Sequence, residues 1–300
     1  MTVVGNDFHQ PVMADAVVSF LQVERGGDVI DATCGGGSHT YRIIQQMPEG
    51  GRILAIDRDT DAVEQTRKKL GQFINRITVI KGTFERLREL AREAGMTDVK
   101  GVLFDLGISS YQIDHPERGF SYRFEGPLDL RMDRHETLTA AEIVNGYDEA
   151  RLSRILFELG EERNSRKIAA AIVSRRRKKT ITTTRELAEV ICSVTNPRWH
   201  NKTLARVFQA LRLEVNRELE LLESALEEAA EVLAPEGRLV VISYHSLEDR
   251  RVKNFLRGRA SGDCPDMKII TKKPVVPEKE EVKINPRARS AKMRVGEKLS

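Results

Sequence analysis

The chain has 300 residues, 40% of them hydrophobic and 31% charged, with 49 basic residues against 45 acidic ones and a formal net charge of +4. No run approaches the ~20 apolar residues that a bilayer span needs, so no membrane partner is expected, and so small a charge excess says little alone about a polyanionic one. Three scattered cysteines, Cys34, Cys192 and Cys264, offer neither a disulfide set nor a zinc spacing, and Met1–Asp7 lacks a secretory pattern; a reduced cytoplasm and no metal are the expectation.

A helix is predicted from Pro11 to Gln22. Short apolar runs then read as strands at Asp28–Asp31, Arg52–Asp57, Ile77–Ile80 and Gly101–Asp105. Helix-length segments separate them at Ser38–Met47, Thr60–Leu70 and Phe84–Gly95, which implies βαβ units and a parallel sheet. The alternation stops after residue 112. Asp114–Arg134 reads as a long ordered loop, and such loops inside compact domains are usually functional. Helices are predicted at Thr139–Asn145, Glu149–Leu159, Arg166–Lys178 and Thr184–Val194. Asn201–Leu233 is one long helix or two abutting ones, stopped by Ala234-Pro235-Glu236-Gly237. A buried strand follows at Arg238–Ser243, a helix at Glu248–Arg257, and late strands at residues 268–270 and 291–295. The fold class is therefore α/β. A domain formed by residues 1–112 and 213–300 is interrupted by an all-helical insertion, residues 113–212.

The charge is sorted along the chain. Arg163–Arg185 holds nine basic and no acidic residues, and Pro265–Ser300 holds ten basic against five acidic. Arg175, Arg176 and Arg177 lie at the centre of the first run. They suit phosphate contacts, although a solvated helix face is the commoner cause of a charge run.

The first strand ends in Asp31 and is followed by Cys34-Gly35-Gly36-Gly37-Ser38-His39 and a helix. Gly35 and Gly37 let the backbone turn sharply and approach a ligand, and ligands of open α/β sheets sit at the carboxyl ends of the strands. Asp57 ends the second strand, where an acid can bind both ribose hydroxyls. This order points to an adenosine-type cofactor, a dinucleotide or S-adenosylmethionine. Thr40 occupies the place of the third dinucleotide glycine, and Asp31 suits a cationic methionine amino group better than a pyrophosphate. At the catalytic end, Asp105 terminates the fourth strand. It can accept a proton from an exocyclic amine such as cytosine N4, or simply cap the strand. His245, with Tyr244, sits at the tip of the fifth strand, where either can stack on or hydrogen-bond a base.

Several segments together resemble the MraW family of small-subunit ribosomal RNA methyltransferases. They are Asp31–Thr40, Ala55–Asp59, Asp105–Ser110, Arg118–Ser121, Pro127–Asp133, Gly160–Arg163, Phe208–Arg212, Val215–Leu219, Ile242–Arg250 and Asn285–Ser290. The resemblance covers about residues 8–296. It implies a class I, Rossmann-like methyltransferase sheet with a helical insertion for RNA recognition. It also implies methylation of one 16S rRNA cytosine at N4, near the decoding centre, with S-adenosylmethionine as cofactor and the small ribosomal subunit as partner. Another RNA, a protein or a small-molecule amine is the alternative acceptor, and a homodimer is left open. By position, the resemblance carries cofactor contacts onto Gly37, Ser38, His39, Asp57, Phe84, Asp105 and Gln112. Ser38 departs from the glycine usual in the family, and Tyr244 from a phenylalanine. The loop arginines Arg118 and Arg131 join the basic run as RNA candidates.

Overall fold

A computed structural model describes residues 11–261 and 264–300, with Ser110 placed by its backbone only. The amino-terminal Met1–Asp7 lies outside the described residues. The chain divides into two compact units. One comprises residues up to Gly107 together with Glu220–Ser300, and the other Ile108–Leu219. The boundaries thus fall at 107/108 and 219/220 rather than at 112/113 and 212/213.

The first unit begins with α1 (Ala14–Leu21), β1 (Asp28–Asp31), α2 (Ser38–Gln46), β2 (Arg52–Asp57), α3 (Thr60–Leu70), β3 (Ile77–Lys81), α4 (Leu87–Glu93) and β4 (Val99–Asp105). The second unit holds α5 (Ser110–Asp114), α6 (Ala140–Gly146), α7 (Glu149–Glu158), α8 (Ser165–Arg176), α9 (Thr184–Val194) and α10 (His200–Asn216). The chain continues with α11 (Glu218–Val232), β5 (Leu233–Ser243), α12 (Ser246–Ser261), β6 (Met267–Ile269), α13 (Lys279–Ile284) and β7 (Lys292–Lys298).

The seven strands form one sheet in the order β3-β2-β1-β4-β5-β7-β6. The first five are parallel, while β7 runs antiparallel to both β5 and β6. Strands buried on both faces should read as continuous apolar runs, and Ile53, Leu54, Ala55 and Ile56 of β2 are all enclosed. One face packs Leu87 and Leu90 of α4, Leu222 and Leu226 of α11, and Val252 and Leu256 of α12 against Ile30, Leu54 and Phe104. The other packs Val17 and Leu21 of α1 and Ile43 and Ile44 of α2 against Val29, Ile53 and Leu103. The sheet is thereby covered on both sides, and its strand tips are left for ligands. Among the described residues, no helix is long and apolar enough to cross a membrane.

One detail differs from the sequence expectation. The stop signal at Ala234–Gly237 lies inside β5, where the ladder with β4 jumps from Val99↔Leu233 to Gly101↔Arg238. Proline and glycine do break the pairing there, but the chain loops out and resumes the same strand. The long helical stretch is two helices, one of the two alternatives that the sequence left open. It breaks at Arg217, a left-handed residue (φ +49°) whose N–H caps α10 through the carbonyls of Leu213 and Glu214.

The second unit closes around its own apolar core, in which Leu128 and Leu130 of the preceding loop join Ile143, Leu152, Ile168, Leu187, Val207 and Leu211. The loop is held by buried polar bonds. Leu130 adopts φ +63°, a conformation that side chains with a β-carbon disfavour. Asn216 secures it: Nδ2 donates to the Leu130 carbonyl at 2.8 Å and to Arg212 O at 2.9 Å, and Oδ1 accepts from Met132 N–H at 2.8 Å. Asn216→Ala leaves Met132 N–H and Leu130 C=O without these partners. It should lower the unfolding free energy by roughly 2–6 kcal/mol, since each of the two buried groups costs about 1–3 kcal/mol when its bond is lost. Denaturant unfolding measures this directly, and a variant as stable as the parent would show the loop to be held by other means.

Candidate active site

The site begins with the turn after β1. Gly37 N–H donates to Cys34 O at 2.7 Å, and Cys34 N–H to Ile56 O at 2.9 Å, which folds residues 34–37 over the tips of β1 and β2. Gly35 and Gly37 take φ of +51° and +73°. A β-carbon on Gly37 would also stand 3.1 Å from the Thr66 methyl and 3.2 Å from Leu70 Cδ1, so only glycine fits. Ser38 is the first residue of α2 and is not among the positive-φ residues, so its replacement of a glycine is tolerated. Its hydroxyl accepts from Lys69 Nζ at 2.8 Å.

Asp57 ends β2 and faces this turn. Its Oδ2 accepts from Gly35 N–H at 2.8 Å and its Oδ1 from Asp59 N–H at 2.9 Å. Burial outweighs those bonds and pushes its pKa up to about 6. Phe84 follows β3, partly exposed, and its ring meets Phe104 edge to face at 5.9 Å.

Asp31 corrects the expectation of a direct ligand contact. It has no exposed surface, and its oxygens accept from Thr40 Oγ1 at 2.6 Å and Thr33 N–H at 3.4 Å. Burial raises its pKa. Its carboxyl group orders the loop from within and presents no face to a ligand.

Asp105, at the tip of β4, is the centre of the arrangement. Its Oδ1 accepts from the Tyr244 hydroxyl at 2.7 Å. Its Oδ2 lies 3.4 Å from His39 Nε2. Burial pushes the Tyr244 phenol well above its ordinary pKa, and the Asp105 charge adds to this, so the phenol stays a donor at neutral pH. Burial alone would lower the His39 pKa; the neighbouring carboxylates of Asp105 and Asp31 reverse the sign and raise it. Both ring nitrogens of His39 are buried without an aligned hydrogen-bond partner. Buried polar atoms of this kind call for an explanation, and a polar ligand at the strand tips supplies one. Gly107, at φ +99°, carries the chain away from β4, and a β-carbon there would stand 3.4 Å from the Tyr244 ring.

His245 departs from its expected role beside the acceptor. Its Nε2 lies 3.1 Å from Glu248 Oε1, and Glu248 also accepts from Tyr244 N–H at 2.9 Å. The ring closes the start of α12 instead of reaching over the strand tips. Gln112 belongs to the second unit, where it is buried and completes a capping box with Ser109.

The basic candidates separate by environment. Arg118 is buried, with Nη2 donating to Arg131 O at 3.2 Å and Met132 O at 3.0 Å, so it holds its loop rather than offering its charge to RNA. Arg131 forks onto Asp129 at 2.7 and 2.8 Å and bonds Glu136 O at 2.7 Å, which neutralises and immobilises it. Arg175 and Arg176 are half-buried and bond the carbonyls of Lys179 and Val144, while Arg177 is exposed.

Sequence reasoning placed Asp105 and Tyr244 at strand ends but missed their bond. The signal is the β4–β5 register, Asp105↔Ile242, which brings position 244 alongside the Asp105 tip.

Comparison with known proteins adds a family. The model of the MraW methylase family matches residues 6–299. The ribosomal RNA small subunit methyltransferase H of Carboxydothermus hydrogenoformans is 45% identical, over 97% of this chain and 98% of that protein. The protein of the same name from Fusobacterium nucleatum subsp. nucleatum is 42% identical, over 100% and 99%. Among solved structures, an rRNA methylase from Streptococcus thermophilus aligns with a TM-score of 0.43 at 14% identity, over 96% of this chain and 94% of that one.

Proposed function

The chain belongs to the MraW methylase family, and from that premise we propose that it methylates one cytosine of 16S rRNA at N4 within the small ribosomal subunit, in the cytoplasm. It is an S-adenosylmethionine-dependent methyltransferase of small-subunit ribosomal RNA. The residues at the strand tips fit that cofactor. A glycine turn that a β-carbon would fill, the Asp57 carboxyl group, an aromatic ring at Phe84 and the buried His39 imidazole suit the loop-facing portion, the ribose, the adenine and a polar end.

When bound, S-adenosylmethionine supplies an electrophilic methyl group on a sulfonium centre. The chain's own part is to present and neutralise the nucleophile. The N4 lone pair of cytosine is delocalised into its ring, so the amine attacks only if turned and relieved of its proton. Asp105 is fitted to this, and its setting is the observation that carries the proposal. Tyr244 fixes one carboxylate oxygen by its O–H donor. The other oxygen, opposite His39 Nε2, accepts an N4 proton as positive charge develops. His39 stands beside that carboxylate, and the neighbouring Asp105 and Asp31 raise its pKa.

The test is methyl transfer from labelled S-adenosylmethionine to small subunits that lack the modification, followed by nucleoside analysis. Label on cytosine N4 is expected. Label on another base or atom, or on protein, would replace the substrate while leaving the cofactor assignment intact.

A further inference from the structure

The second unit carries an aromatic side chain that neither its core nor its loop network explains. Trp199, the only tryptophan of the chain, is 51% exposed. Its backbone is rigid. Asn196 Oδ1 accepts from Arg198 N–H at 2.9 Å, Asn196 O accepts from Trp199 N–H at 2.9 Å, and Pro197 fixes the first position of the turn that leads into α10. Exposing a large apolar ring on a stiff turn costs solvation and saves no conformational entropy of its own. That is the economy of a preformed contact surface.

Two cations lie by the ring. Arg198 Cζ is 5.3 Å and Lys202 Nζ 5.9 Å from its centroid. From Val190 to Leu213 there is no acidic residue. Arg206 and Arg212 in that stretch are already paired, with Glu162 and Glu218. Arg198 and Lys202 are exposed and have no carboxylate partner among the described residues. An exposed indole with two cations over its ring, neither paired with a carboxylate, matches one chemistry closely. A nucleobase stacks on the ring while the flanking phosphates meet the charges. An apolar protein surface would leave both cations desolvated and unpaired.

We propose that Trp199, Arg198 and Lys202 form a stacking platform for one unpaired nucleotide of the ribosomal RNA substrate. The platform rests on the rRNA reading above and adds to it a docking point outside the reaction centre.

The single tryptophan makes this measurable in the full chain. Titration with protein-free 16S rRNA should quench the indole emission. Trp199→Ala should weaken RNA binding about ten-fold, within the range for loss of one base–aromatic stack, and Trp199→Phe should recover much of it. Arg198→Ala with Lys202→Ala should reduce the slope of log affinity against log salt by about two contacts. In methyl transfer, KM should rise for Trp199→Ala by more than kcat falls. Unchanged emission together with unchanged affinity of Trp199→Ala, in a protein that methylates rRNA, would overturn the platform and leave the enzyme reading standing. A protein that methylates no rRNA would overturn that reading, while the titration would still report on the platform. Quenching by assembled subunits together with unchanged affinity of Trp199→Ala for protein-free rRNA would assign the surface to a ribosomal protein and overturn the RNA proposal.

Discussion

Asp105→Asn should lower kcat for methyl transfer by about 10²–10⁴-fold, the range for loss of a proton acceptor at the reacting group. The substitution preserves size, and the amide oxygen can still accept from Tyr244. It removes the negative charge, and an amide presents at most one acceptor where the carboxylate has two. RNA affinity should stay within a few-fold of the parent. Wild-type turnover would remove Asp105 from the reaction. Tyr244→Phe separates positioning from acceptance. It deletes one hydrogen bond to a charged group, about 1.5–3 kcal/mol, and frees the carboxylate to rotate. Its loss of turnover should be smaller than that of Asp105→Asn, with an altered pH profile because the acceptor is no longer clamped by the phenol.

Asp57→Ala should raise the dissociation constant for S-adenosylmethionine by on the order of 10²-fold or more. Two ribose hydroxyl bonds to a carboxylate, each worth about 1.5–3 kcal/mol, disappear together. Gly35 N–H also loses its acceptor, so the glycine turn loosens. Calorimetric titration reads the constant, and an unchanged value would exclude Asp57 from the site. The same residue gives the binding a pH dependence. Its pKa stands at about 6, raised by burial. Ribose hydroxyls donate to the ionised form, so affinity is present above that value and is lost as pH falls through it. Between pH 7 and pH 5 the constant should weaken about ten-fold, and Asp57→Asn should abolish that dependence.

Much of the fold was legible because its signals are local. The buried parallel strands β1 and β2 have the bounds that their apolar runs indicate, and α3 and α9 begin after Asp59 and Thr183, whose side chains cap them. What was not legible depends on tertiary partners. No glycine or proline marks Arg217, where α10 ends. Its left-handed conformation is set by capping bonds and by the paired Arg212 and Glu218 on either side. The candidate site divides in the same way. Gly35, Gly37 and Asp57 follow from strand-end spacing, whereas the charge of Arg118 or Asp31 does not reveal that each is buried against its own loop. His245 and Tyr244 are neighbours in sequence, yet the strand end sends one ring to Glu248 and the other to Asp105. Alternation along a strand decides such a split only when the last residues remain extended.

The position of β5 has a consequence for synthesis. Four parallel strands, β3-β2-β1-β4, are complete once Asp105 has been made, but the neighbour that covers the open edge of β4 begins at Leu233. At roughly 5–20 residues per second, the ribosome needs about 6–26 seconds to deliver it. During that interval a half-built sheet carries an unpaired edge while the whole second unit emerges and folds on its own core. The nascent chain is therefore most exposed to aggregation and to chaperones between these two points. Changes that slow translation through Ile108–Leu219 should reduce soluble yield even when they alter no residue.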